Sequence, residues 1–274
     1  MSALKSFTKS IVPTFIWNKL RSVKLKHEID VFESFVVENL YCGEKLKVCI
    51  EDGLGNGWYA KEWGRVEEIE FLVEKGILTN GTKIFDLGAH QSVVAMILAK
   101  KCGVDGKVLA LEANSHNYAV SNKNKDINNI ENLVIEHAAI SDVNGEVEFN
   151  ENLNGSVVSD TMKQKKVVVP SYNLDHLMKA HFTPDIIYLD VEGYEYIVLK
   201  GAEKALSLNI NWFIEVHGDE LIGNFGGKAK DIFDYFSNGD FELHIGYDNA
   251  PFVPYEPSEH KINERCFLIA LKKA

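Results

Sequence analysis

Short apolar runs recur along most of this chain, separated by stretches of helical period. The runs fall at KIFDLG (83–88), KVLALE (107–112), NLVIEHA (132–138), DIIYLD (185–190), INWFIEV (210–216), FELHI (241–245) and CFLIAL (266–271). Amphipathic helical patterns lie between most of them, around 93–102, 115–128, 194–206 and 227–237. Runs without polar alternation are buried on both faces, and helices between them supply the cover. The pattern therefore predicts an α/β fold with a doubly wound, mostly parallel sheet. Between 144 and 170 the period changes. GEVEFN and KKVVVP predict a small antiparallel β-hairpin inserted beside that sheet.

Upstream, AKEWGRVEEIEFLVEKG (60–76) has helical periodicity and stops at Gly76. LKVCIEDGLGNGWY (46–59) reads as a strand followed by a glycine-rich bend. Its DGLGNG lacks the third glycine of a dinucleotide fingerprint and the Lys-Ser/Thr of a P-loop. A hairpin or bulge needing positive φ is the simpler expectation. From Met1 to His27, Lys5, Lys9, Lys19, Arg21, Lys24 and Lys26 meet no acidic residue, and Ile11, Val12, Phe15, Ile16, Leu20 and Val23 recur at helical spacing. Such a helix packs on the domain or a partner subunit, or rests weakly on an anionic membrane surface. Residues 1–45 are thus expected to form a basic, helical extension and residues 46–274 the main domain.

Composition narrows the function. A net charge of −11 over 274 residues argues against nucleic-acid partners, because phosphate contacts need a basic face. Cys42, Cys49, Cys102 and Cys266 have no CxxC spacing, which fits a reducing, cytoplasmic setting and neither a zinc site nor a disulfide frame. No apolar run approaches the roughly 20 residues of a spanning helix.

The candidate chemistry sits at strand ends. DLGAHQS (86–92) closes the first strand of the array and opens a helix, with small residues at Gly88, Ala89 and Ser92. Backbone can approach a ligand there, and a helix N-terminus presents unpaired N–H groups. Asp86 would repel a pyrophosphate but suits a cationic ligand such as S-adenosylmethionine, which carries an ammonium and a sulfonium. Glu112, at the end of the next strand, sits where an acid accepts hydrogen bonds from ribose hydroxyls. Farther on, Asp190 ends a strand, Glu192 follows, and Glu215 and His217 project from one side of the next strand end. Asp190, Glu192, Glu215 and His217 are the candidate acid/base groups, with Tyr188, Tyr194, Tyr196 and Trp212 as aromatic company for a polyhydroxylated acceptor. A divalent metal on these carboxylates stays open, but no regular ligand spacing supports one.

IFDLGAHQS, LALEAN, HAAISDVNGEVEF, IIYLDVEGYEYIVLKGA and WFIEVHG together resemble the FkbM-type family of S-adenosylmethionine-dependent methyltransferases. LDVEGYEYIVLKGA, which looks like the family signature D-x-E-G-x-E-x-x-x-L-x-G-A, is the most specific element. The resemblance implies a class I methyltransferase sheet of seven strands, the last antiparallel, and O-methylation of hydroxyls on sugars, glycans or secondary metabolites. It places Asp86, Gly88 and Ala89 at the methionine end of the cofactor, with His90 and Ser92 standing where the family motif D-x-G-A-N-x-G has asparagine and glycine. Glu112 would hold the ribose, followed by Ala113 and Asn114. Ala139 and Ile140, in the stretch to Asp142, would flank the adenine, and Asp190 would face the reactive methyl. Serine at 92 is also a candidate helix cap. A neutral His217, or Asp190, is the expected base, with Glu192 or Glu215 as orienting groups. Two other readings stay open at this point. One is a non-catalytic binding protein of the same fold, and the other is a nicotinamide oxidoreductase.

Overall fold

The computed structural model describes residues 27–150, 153–157, 166–248 and 250–273. The basic stretch expected over 1–26 lies outside them. The first elements are a hairpin, β1 (Phe35–Tyr41) and β2 (Glu44–Ile50), turning through Cys42 and Gly43, both at positive φ. That hairpin crosses the boundary expected at residue 45, so the described end of the extension is strand where helix was expected. Helix α1 (Gly53–Tyr59) and helix α2 (Glu67–Glu74) follow.

The glycine-rich stretch is a correction. Gly53, Gly55 and Gly57 lie inside α1, and none has a positive φ. The Asp52 carboxylate caps the helix by accepting the Gly55 N–H at 2.7 Å, and the Gln91 side chain also donates to it. Gln91 packs so closely on Gly55 that a Cβ there would meet its amide oxygen at 2.8 Å. Side-chain capping and tertiary packing thus override the low helix propensity of glycine.

The βα array then runs β3 (Lys83–Leu87), α3 (Val93–Lys101), β4 (Lys107–Glu112), α4 (Ser115–Ile127) and β5 (Leu133–His137). Four strands of a smaller sheet interrupt it: β6 (Ala139–Ile140), β7 (Gly145–Asn150), β8 (Ser156–Val157) and β9 (Lys166–Tyr172). In it β7 pairs antiparallel with β9, which is the predicted hairpin, and with β8. The chain continues through α5 (Leu174–Ala180), β10 (Ile186–Leu189), α6 (Glu195–Lys200), α7 (Glu203–Ser207), β11 (Asn211–Val216), α8 (Gly218–Gly223) and α9 (Ala229–Asp234). It ends with β12 (Phe241–Gly246), β13 (Val253–Pro254) and β14 (Cys266–Lys272).

The main sheet has the order β13-β12-β14-β11-β10-β3-β4-β5. Seven of its strands are those predicted, and β14 runs antiparallel to β11 and β12. The two-residue β13 adds an eighth at the edge. Apolar side chains from the two faces feed two separate cores. Phe85, Leu87, Leu111, Leu189 and Ile214 pack toward α6, α8 and α9, while Ile84, Ala110, Tyr188 and Phe213 pack toward the β1–β2 hairpin, α2 and α3. This double burial is why the strands read as unbroken apolar runs. Among the described residues no helix is long and apolar enough to cross a membrane. All four cysteines are free and buried.

Register decides where the chemistry gathers. Leu87, Leu189 and Ile214 are side by side across β3, β10 and β11. One residue further on, Gly88, Asp190 and Glu215 therefore leave the sheet along one edge. The crevice beyond the carboxyl ends of parallel strands is where such sheets bind ligands.

Candidate active site

A cavity of about 550 Å³ opens at that edge. It is lined by Asp86, Gly88, Ala89, His90, Glu112, Ala113, Ala139, Ile140, Asp190, Glu192, Glu215 and His217 from the predicted set. Ser92 and Asn114 do not line it. Ser92 occupies the N-cap position of α3 without making a cap hydrogen bond, and its hydroxyl donates to Ser121 at 2.9 Å. Asn114 caps α4 by accepting the His116 and Asn117 N–H groups. Both hold the backbone from which cavity residues project.

The family asparagine and glycine at positions 90 and 92 have a structural counterpart here. His90 and Ser92 both adopt left-handed backbone, at φ 49° and 59°. Asparagine and glycine enter that region most readily. His90 spends both ring nitrogens on the protein. Its Nε2–H donates to the Leu153 carbonyl at 3.1 Å and its Nδ1 accepts the Tyr59 hydroxyl at 2.8 Å. Burial holds its pKa down at about 4, so the ring is neutral. It thus ties α1 to the β7–β8 connection rather than reaching for a ligand with a vacant nitrogen.

One end of the cavity is built around two buried acids. Asp86 is 2% exposed, and its Oδ2 has no hydrogen-bond partner. Burial pushes its pKa up to about 7. Glu112 is 6% exposed, accepts the Asn114 N–H at 2.7 Å, and is pushed by burial to about 8. An orphaned buried acid calls for a donor or a cation.

The other end holds a histidine among carboxylates. His217 Nδ1–H donates to Glu195 Oε1 at 2.8 Å, and that same oxygen accepts the Gly193 N–H at 3.0 Å. Its Nε2 faces Glu215, Glu192 and Asp190 oxygens at 3.4, 3.5 and 3.6 Å. Burial disfavours the charged imidazole, but the Glu195 hydrogen bond and the charges of Glu195, Asp190 and Glu215 outweigh it and raise its pKa to about 10. The expectation of a neutral imidazole waiting for a proton near pH 7 is corrected: in the protein alone this ring carries the proton. Asp190 is raised well above the carboxylate range, first by burial and then by the charge of Glu215.

The expected site leaves out several partners, one of which, Glu195, the sequence shows three residues after Glu192. Glu195 is fully buried and orients His217. Arg265 lines the cavity and pairs with Glu215 and Asp248. Asn154 donates to Glu192 at 2.8 Å. Trp58, Tyr59 and Trp63, from α1 and its exit, supply the aromatic wall. Of the expected aromatics, Tyr188 and Tyr194 line the cavity, but Trp212 is core against Phe236 and Tyr196 does not reach it. The G-x-E spacing after Asp190 was a usable signal for Glu195. Nothing local pointed to Arg265, which is 50 residues from its Glu215 partner.

The methyltransferase FkbM domain family matches residues 86–243, more than half of the chain and all of the cavity's acidic residues. The chain belongs to the FkbM methyltransferase family. It is accordingly a methyltransferase, with S-adenosylmethionine as cofactor, and the orphaned Asp86 carboxylate fits a cationic group there. No curated protein matches the chain significantly. Among solved structures, a methyltransferase FkbM from Methylobacillus flagellatus KT is 16% identical over 69% of this chain and 43% of that one, with a TM-score of 0.43. The chain thus spans under half of that protein's length. An S-adenosylmethionine-dependent O-methyltransferase from Thermotoga maritima is 12% identical over 88% of this chain and 78% of that one (TM-score 0.45). Aeropyrum pernix fibrillarin with natively bound S-adenosyl-L-methionine is 11% identical over 74% of each (TM-score 0.43).

Cofactor binding by this FkbM domain is expected to carry a proton signature. Asp86 and Glu112 are partly protonated at neutral pH, because burial raises both. A ligand that offers a positive charge and hydroxyl donors favours their ionised forms, so binding releases protons and tightens as pH rises from about 6 to 8. Calorimetry in buffers of different ionisation enthalpy measures this. Glu112→Ala should bind the cofactor roughly ten- to a hundredfold more weakly, since hydrogen bonds to a charged group are worth about 1.5–3 kcal/mol, and should release fewer protons. Affinity that is flat with pH and unchanged in Glu112→Ala would place the ribose contact elsewhere.

Proposed function

We infer that the protein is an O-methyltransferase whose acceptor is a hydroxyl on a sugar, glycan or secondary metabolite. The carrying observation is that one cavity joins the Asp86–Glu112 end to the Asp190–Glu192–Glu215–His217 end. When bound, the cofactor supplies a methyl group already activated on sulfonium. What is left to the chain is to position the acceptor oxygen in line, exclude water and receive a proton.

Asp86, Gly88, Ala89, Glu112, Ala113, Ala139 and Ile140 bind and orient the cofactor in this reading. Asp190, Glu192 and Glu215 accept hydrogen bonds from the acceptor hydroxyls. The proton lost by the attacking oxygen goes into this carboxylate cluster, where His217 supplies the counter-charge. Trp58, which is 41% exposed at the cavity, offers a flat apolar face to a sugar ring while polar edges meet the carboxylates. A phosphorylated acceptor is disfavoured, because Arg265 is already engaged by Glu215 and Asp248 and His217 is enclosed by carboxylates.

The test is a product assay with labelled S-adenosylmethionine against a panel of hydroxyl acceptors, supported by mass spectrometry of small molecules that co-purify. A methyl ether confirms the reading. Transfer to an amine or carboxylate, with hydroxyls inert, overturns it.

A further inference from the structure

His217 is 6% exposed and its tautomer is set from behind: the buried Glu195 takes the Nδ1–H, leaving Nε2 to face forward. In front of Nε2 are oxygens of Asp190, Glu192 and Glu215, all at 3.4–3.6 Å, and Nε2 makes no hydrogen bond with any of them. The Asp190 side chain keeps 36% exposure as a whole, yet its Oδ1, the atom nearest His217, is buried without a hydrogen-bond partner. Donor atoms of Asp190, Glu192 and His217 lie within 4.8 Å of one another. Glu192 is held in left-handed backbone at φ 53°, strained for glutamate, and Asn154 steadies its other oxygen.

These are acceptor atoms converging on one point, and a cation is what satisfies them together. Metal–nitrogen and metal–oxygen bonds of about 2.0–2.2 Å in a tetrahedral site put neighbouring donors about 3.3–3.6 Å apart. The observed spacings from Nε2 match that edge. A carboxylate behind a ligating histidine is the usual outer partner of such a site.

We propose that Asp190, Glu192 and His217 form a divalent transition-metal site, of the manganese or zinc class, that holds the acceptor hydroxyl. One imidazole with two carboxylates suits these ions better than magnesium or calcium, which prefer all-oxygen ligands. Three protein ligands leave a position open, as catalytic sites require. There the acceptor oxygen binds and its O–H is acidified. The O–H bond breaks, the oxygen stays on the ion, and the proton passes to Glu215, the carboxylate of the cluster outside the ligand set. Ion binding itself is independent of the O-methylation reading, and only the purpose given to the ion rests on it.

The experiment uses the full chain, stripped with a chelator and dialysed. Mn²⁺ is titrated in and followed by the loss of its free electron-spin-resonance signal, and Zn²⁺ by calorimetry. About one ion per chain is expected, with a rise in melting temperature. Glu192→Gln should weaken binding at least tenfold. Glu195→Gln, which touches no ion, should weaken it about 10–100-fold through the histidine's orientation. Circular dichroism and S-adenosylmethionine binding on each variant establish that it is folded. No binding of either ion by the unmodified protein at millimolar concentration overturns the proposal, as does equal binding by folded Glu192→Gln. If the stripped protein binds cofactor and methylates hydroxyls at full rate, the ion's role falls and the O-methylation reading stands. If an ion binds but no hydroxyl is ever methylated, the reading falls and the site stands.

Discussion

His217→Ala is expected to lower turnover at least about 100-fold while leaving the dissociation constant for S-adenosylmethionine within a fewfold of the unmodified value. A group that handles the acceptor's proton or holds its oxygen contributes about 10²–10⁴-fold. The proposed cofactor end, at Asp86 and Glu112, is a separate part of the cavity wall and should lose nothing. The same substitution also destabilises the fold. Glu195 is wholly buried, and its Oε1 loses the Nδ1–H of His217. Asp190, Glu192 and Glu215 lose the positive charge among them. Breaking a buried pair by removing one partner costs about 3–5 kcal/mol, so melting should fall by several degrees or more. His217→Gln separates the two effects, because its amide can still donate to Glu195. Melting should recover in part, and turnover should not. Equal turnover in both variants and the unmodified protein would make His217 a structural residue.

Gly88→Ala should abolish cofactor binding and lower the melting temperature markedly. Gly88 has φ 96°, and a Cβ there would sit 1.7 Å from the Asp190 carbonyl oxygen. Alanine pays about 1–2 kcal/mol for left-handed backbone and about 1–3 kcal/mol for the overlap. Relief requires the ends of β3 and β10 to part, and that is where Asp86 and Asp190 are set. For a domain of this size about 2–4 °C is lost per kcal/mol, so a fall of roughly 4–20 °C is expected by calorimetry. Gly57→Ala is the control: no atom lies within 4 Å of its would-be Cβ, and α1 gains helix propensity. A Gly88→Ala protein that melts normally and binds cofactor would show that the β3–β10 edge is more pliant than its packing implies.

By itself the sequence determined the α/β layering, the seven main strands, the antiparallel pair at β7 and β9 and the strand-end positions of Asp86, Glu112, Asp190 and Glu215. These follow from periods of 2 and 3.6 residues and from strands buried on both faces, which are local properties of the chain. It also placed twelve of the expected site residues on the wall of one cavity, because parallel strands deliver their carboxyl ends to the same edge.

The tertiary structure alone decided the rest. The β1 strand and helix α1 form because Tyr41 and Gln91 pack on partners far along the chain, and so Trp58 and Tyr59 reach the cavity from a stretch that reads as a bend. The protonation of His217 was likewise out of reach, since it depends on Glu195, Asp190, Glu192 and Glu215 surrounding one ring. Charge state and metal affinity are set by separations of a few ångströms between residues from different strand ends, and those separations exist only once the sheet has put the strand ends in register.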